Sequence, residues 1–151
     1  MAPAWECQRS VDADVPAWFA WTYMTNISNW NDPPAEFSLD GPFAAGARGT
    51  TRMPGQPARG WVIRDVDPGR AYTTEFAAFE GVLLLFRWRF AELSGGTTRM
   101  TQRIELYGEN AAAYVDQVRA GFEPNLEPGM QRIAESMARA ASHAAPSAEG
   151  A

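Results

Sequence analysis

The sequence predicts an α+β domain: one curved antiparallel sheet packed against a long C-terminal helix, with an apolar cavity between them. Three observations predict it. Segments 82–93 and 97–107 alternate so that one face is apolar and the other is built from Arg and Glu, the mark of a sheet wet on one side only. Segment 129–142 carries Met130, Ile133, Met137 and Ala141 as a helical stripe. The element order is a strand, two helices, about six strands and a terminal helix, and only that last helix is free to cover the apolar face.

The elements follow in chain order. Residues 5–11 alternate, with Trp5, Cys7, Arg9 and Val11 on one face, which reads as an edge strand. Asp14 is placed to cap a helix with Pro16 in its first turn, where a missing N–H costs nothing. That helix reaches about Met24, and a short second helix over 25–31 ends at Trp30, stopped by Pro33 and Pro34. Short strands are predicted over 36–39, 47–53, 60–66 and 71–78, with turns at Gly41-Pro42, at 54–57 and at Asp67-Pro68-Gly69. Ser94-Gly95-Gly96 turns the chain between the last two strands. Residues 111–122 are helical. Pro124 and Pro128 are expected to interrupt that helix, which restarts over 129–142. Residues 1–143 form the domain, and 144–151 read as a disordered tail.

Composition narrows the functions. The chain has 151 residues, 46% of them apolar and 21% charged, enough for one domain with its own core. Its formal charge is −5 with no basic run, so it lacks the cation cluster that a nucleic acid demands. All 13 basic residues are Arg. Without Lys there is no Schiff-base or pyridoxal-phosphate chemistry and no Walker-type phosphate loop. The missing lysines also suggest a GC-rich genome, and a bacterial protein is expected. Cys7 is the only cysteine, so no intrachain disulfide or thiolate cluster forms. Neither a secretory leader nor an apolar stretch of membrane-spanning length is visible, and the expectation is a cytoplasmic protein with no membrane insertion. His143 is the only histidine, and no ligand cluster accompanies it, so neither a metal nor any other cofactor is expected.

Six Trp and eight Phe are many for this length. Trp61, Tyr72, Phe76 and Trp88 are expected on the concave face, with Trp30 at one end. Each one serves core packing or a cavity wall; as a set they favour a cavity. Thr74 and Gln102 interrupt the same face with polar groups, which either bond to backbone or water or orient the polar end of a ligand. Met130, Ile133 and Met137 are helix core or an adaptable wall. Arg87, Arg89, Arg99 and Arg103 are expected to form an outward ladder with Glu75 and Glu105; a slip of one residue in register would turn Arg87 inward.

Several local motifs share an order and spacing with a known family. They are Val15-Pro16-Ala17-Trp18; Gly41-Pro42-Phe43-Ala44-Ala45-Gly46 with Gly49; Asp65-Val66-Asp67-Pro68-Gly69-Arg70; Gly95-Gly96-Thr97-Thr98-Arg99; and Glu123-Pro124-Asn125-Leu126. Over residues 4–142 the chain resembles the START-like, Bet v 1-like superfamily, specifically its polyketide cyclase/dehydrase and lipid-transport (SRPBCC) branch. The resemblance implies a helix-grip fold with a cavity for hydrophobic ligands and no single reaction. A cone that opens on helices and ends on strands, of the NTF2-like kind, fits the element order less well.

Two classes of function follow. One is a carrier or sequestering module that binds a small hydrophobic molecule. The other is a cyclase- or dehydratase-like enzyme acting on an apolar substrate in the same cavity, with Tyr72, Gln102 or a mouth carboxylate as candidate acid–base groups. No catalytic residue is assigned. A third reading is a structural partner protein whose cavity is filled by Trp61 and Trp88.

Overall fold

The computed structural model describes residues 2–30 and 34–144. Seven strands form one antiparallel sheet: β1 (Trp5–Ala13), β2 (Glu36–Leu39), β3 (Arg48–Arg52), β4 (Arg59–Asp67), β5 (Ala71–Phe79), β6 (Val82–Glu92) and β7 (Thr98–Tyr107). Their spatial order is β1-β7-β6-β5-β4-β3-β2, so β1 takes an edge and the last strand closes onto the first. Helix α1 (Ala17–Met24) and a 3-10 turn (Ile27–Asn29) link β1 to β2. A second 3-10 turn (Ala111–Tyr114) leads into α2 (Val115–Ala144). Beyond Ala144, the segment expected to be a tail lies outside the described residues, as do Asn31, Asp32 and Pro33.

Side-chain alternation sets the register. Trp88 lies opposite Tyr72 on one side and Gln102 on the other. Leu84, Trp88 and Phe90 of β6 are buried with Met100, Ile104 and Leu106 of β7. The opposite face carries the ion pairs. Arg87 Nε and Arg103 Nε donate to the two oxygens of Glu105 at 2.9 and 2.6 Å, and Tyr107 adds a third bond at 3.0 Å. Arg103 also reaches Glu6 at 2.6 Å, and Arg99 pairs with Asp12 at 2.9 Å. Arg87 therefore points away from the concave side. Glu75 was expected in this ladder but pairs with Arg64 at 3.4 Å.

A bulge between Ile63 and Asp65 breaks the simple alternation of β4. Without it, Asp65 would follow Trp61 and Ile63 onto the apolar face. The extra residue brings Val66 opposite Tyr72 and Asp65 opposite Thr73, and the charge stays outside.

Two expectations about helices are corrected. Asp14 does not cap α1. Pro16 is the cap residue, in extended conformation, and no cap side chain bonds to the helix. The orphan N–H of Ala17 is satisfied from far along the chain by Glu92 Oε1 at 2.9 Å. The second correction is that Pro124 and Pro128 lie inside α2, which runs unbroken for 30 residues. Both prolines are exposed, so the carbonyls they leave without an N–H partner are on the solvent side of the helix. Leu126, Met130, Ala134 and Met137 bury the opposite side and outweigh the local cost. Asn125 supports the same turn, its Nδ2 donating to the Gly121 carbonyl at 2.9 Å.

Among the described residues no helix is long and apolar enough to cross a membrane.

Candidate functional site

The cavity follows from a mismatch of widths. Seven strands at ~4.8 Å spacing make a sheet about 29 Å across, whereas one helix covers about 10–12 Å. Helix α2 lies over β1, at one edge. The concave faces of β3, β4, β5 and β6 are left to curve around open space, and α1 with its 3-10 turn closes the end.

The resulting cavity has a volume of about 740 Å³. That lies in the range of small-molecule sites, roughly 300–1,000 Å³. Phe37, Phe76, Phe79 and Phe86 come from the sheet side, Phe122 from α2 and Trp30 from the turn after α1. Neighbouring rings meet edge-on, as in Phe76–Phe86 at 5.2 Å and Phe86–Phe122 at 5.6 Å between centroids. Trp30 is anchored by its indole N–H, which donates to the Met24 carbonyl at 2.7 Å.

Seven of the ten residues singled out from sequence lie on the wall: Trp30, Tyr72, Thr74, Phe76, Trp88, Gln102 and Ile133. The other three do not. Trp61 is buried behind the wall, tilted against Trp30 at 5.3 Å and stacked on Phe76 at 5.8 Å. It fits there because Gly49 opposite it has no side chain; a Cβ at that position would overlap the indole. Met130 and Met137 are fully buried in the core. At about 100° per residue they share a stripe with Leu126 and Ala134, while Val118, Phe122, Ile133 and Ser136 form the adjacent stripe that faces the cavity. Apolar periodicity marks both stripes alike, so it does not distinguish them.

The polar groups of the wall are of two kinds. At the rim, exposed Arg59 donates to the Ala78 carbonyl at 2.7 Å and lies over the Phe79 ring at 5.7 Å. Gln56, Gln117 and Arg132 are rim residues too. Deeper in, Tyr72, Thr74, Trp88 and Gln102 are buried residues. Among the described residues none of their side-chain polar atoms has a hydrogen-bond partner. Nor are those atoms sealed inside protein, as Trp61 Nε1 and Thr51 Oγ1 are. They face the open cavity. Burial holds the Tyr72 phenol far above its ordinary value, so it stays protonated and donates. Tyr23, also on the wall, is raised by burial, and the charge of Arg139 opposes the shift.

The described wall contains no Asp, Glu, His or Cys. No cluster of three potential metal ligands occurs among the described residues. The arrangement is suited to enclosing an apolar body and hydrogen-bonding to it at one end. Sequence reasoning missed Phe86 and Phe122 as wall residues, although both sit at periodic positions of a recognised apolar face. Arg59 and Gln117 carried no such mark.

Comparison with known proteins agrees with the architecture. The sequence model of the family described as polyketide cyclase / dehydrase and lipid transport matches residues 4–141. No curated protein matches the chain by sequence. Among solved structures, norcoclaurine synthase from Thalictrum flavum, in complex with dopamine and hydroxybenzaldehyde, superposes with a TM-score of 0.70 at 11% identity. The match covers 94% of this chain and 88% of that one. A solution structure from Thermobifida fusca gives 0.69 at 15% identity, covering 89% and 93%. Ara h 8.0201 gives 0.66 at 12% identity, covering 88% and 97%. These likenesses establish the helix-grip fold and nothing finer.

Proposed function

The chain belongs to the polyketide cyclase / dehydrase and lipid transport family, and from that premise we propose that it binds a small hydrophobic molecule between the sheet and α2, as a carrier or sequestering module. The observation that carries this reading is the cavity of about 740 Å³, walled by aromatic rings and holding buried polar groups that no described residue satisfies. A filled, vestigial cavity would not have that volume, so a purely structural role is disfavoured. Buried polar groups without partners each cost about 1–3 kcal/mol, and a bound molecule that supplies the partners recovers that cost.

A cyclase- or dehydratase-like activity in the same space is the alternative. Norcoclaurine synthase, with its two aromatic compounds bound, gives that alternative a precedent in the fold. It ranks second because the described wall offers no carboxylate, imidazole or thiol to move a proton at neutral pH. The raised Tyr72 phenol is a hydrogen-bond donor and a poor base.

Native mass spectrometry of the purified protein, with solvent extraction of whatever stays bound, tests the reading. A reproducible apolar adduct supports it and names the compounds to assay for turnover. A clean apo mass, followed by no change in Trp emission with a panel of lipids and polyphenols, overturns both the carrier and the enzyme.

A further inference from the structure

Resting on the reading of the cavity as a binding site, we propose that its ligand is an uncharged, flat ring system bearing a hydroxyl or carbonyl oxygen, and that Gln102, Tyr72 and Thr74 select this oxygen over a carboxylate.

The polar groups are adjacent by register. Tyr72, Trp88 and Gln102 stand in one row across β5, β6 and β7, and Thr74 is the next residue on the same face of β5. Residues directly opposite have Cβ atoms about 4.5–5.5 Å apart, so Tyr72 and Gln102, on either side of Trp88, stand about 10 Å apart at Cβ, and their long side chains reach one ligand group placed over Trp88. Their chemistry is mixed. The Tyr and Thr hydroxyls donate and accept, the Gln amide does both, and the indole only donates. A hydroxyl or carbonyl finds complementary partners in that set. A carboxylate accepts only, and burying its charge needs a cation or a dense set of donors.

The cations stand elsewhere. Arg9 ends the row on β1, opposite Gln102. Its guanidinium turns away, donating to the Gln8 carbonyl at 2.8 Å, and it lines a separate surface groove with Asp116 and Glu123. Arg59 is tied to the Ala78 carbonyl, six residues along β5 from Tyr72, a span of about 20 Å. Arg132, like Arg59, is exposed at the rim. A fatty acid could place its head at Arg59 only by laying its hydrocarbon tail against Tyr72, Thr74 and Gln102, which would leave their polar atoms unmet. The rings of Trp30, Phe76, Phe86, Trp88 and Phe122 present faces and edges that suit a planar aromatic body.

Three fluorescent probes of one shape separate the possibilities: pyrenemethanol, pyrenecarboxylate and methylpyrene, titrated at neutral pH against intrinsic Trp emission. The alcohol should bind at least about tenfold more tightly than the carboxylate and several-fold more tightly than the hydrocarbon. Gln102→Leu and Tyr72→Phe should each erase the advantage of the alcohol over methylpyrene. Methylpyrene affinity should stay within about twofold in both variants, which also shows that they remain folded. Thr74→Val, nearly isosteric, should shrink the same advantage in part. Equal binding of all three probes, or tightest binding of the carboxylate with sensitivity to Arg59→Gln, overturns the selectivity while leaving the cavity reading intact. If no probe binds and native mass spectrometry shows no adduct, the cavity reading itself fails, and this inference with it.

Discussion

Replacing Gly49 with alanine should unfold the protein at a lower temperature through one identifiable collision. A Cβ at Gly49 would overlap the Trp61 indole and come within 2.6 Å of the Ser38 carbonyl oxygen. The carbonyl is fixed by the pairing of β2 with β3. The indole has little room to retreat, because it lies against Trp30 and Phe76 with centroids 5.3 and 5.8 Å away. Overpacking of this kind costs about 1–3 kcal/mol. Restricting the unfolded chain returns about 0.4–1 kcal/mol, since Gly49 does not occupy the left-handed region. The middles of these ranges leave a net loss of about 1.3 kcal/mol, and at this chain length each kcal/mol lowers Tm by about 2–4 °C. The expected drop is therefore about 3–5 °C, measured by thermal unfolding followed by circular dichroism. Gly60→Ala is the control, because a Cβ there meets only the Gly49 carbonyl, at 4.0 Å. It should leave Tm unchanged or slightly raised. Equal Tm values for Gly49→Ala and the parent, or an equal fall in both variants, would refute the argument that Trp61 is wedged behind the wall.

Three further outcomes follow from the same structure. Burial alone would raise the Glu105 pKa, but hydrogen bonds from Arg87, Tyr107 and Arg103 outweigh it and hold the carboxylate below its ordinary value of 4.5. A depressed folded-state pKa means stability that is present above the unfolded value and lost as pH falls through the folded one. Stability should thus decline below about pH 4.5, and Glu105→Gln should cost about 1–3 kcal/mol at neutral pH while flattening that decline, read from urea midpoints across pH. Pro124→Ala should raise the urea midpoint by an amount equivalent to about 1–2 kcal/mol, because it restores a helical N–H at an exposed position; a fall would show that the ring is needed where it stands. Glu92→Ala should cost about 0.5–1 kcal/mol by removing the acceptor for the Ala17 N–H, and an unchanged midpoint would deny that cap any role.

The strands were legible because their signals are local. Alternation in 82–93 and 97–107 put Leu84, Phe86 and Trp88 on the face that became the wall, and the Arg and Glu residues on the other. Turn residues at Gly41, Gly69 and Gly95-Gly96 all take the left-handed backbone that their position demands. These features bring the observed strand limits to within two residues of those read from the sequence. Of the seven candidates that reached the wall, Tyr72, Thr74, Phe76, Trp88 and Gln102 follow from strand alternation, Trp30 from its place at the end of the short helix, and Ile133 from helical periodicity.

By itself, then, the sequence determined the element order, the wet and dry faces of the sheet, and a concave side rich in aromatics, since each depends on neighbours within a few residues. The tertiary structure decided what depends on distant contacts. Helix α2 continues through two prolines because its buried stripe is held by the sheet. Glu92 replaces Asp14 at the start of α1 because folding brings the end of β6 there. Trp61 leaves the wall because Gly49, on a neighbouring strand, makes room for it. Met130 and Met137 separate from Ile133 because α2 lies over β1 and presents one stripe to the core and the next to the cavity. A periodic pattern records that a side chain is buried; only the packing of elements records whether it is buried against protein or against space left open for another molecule.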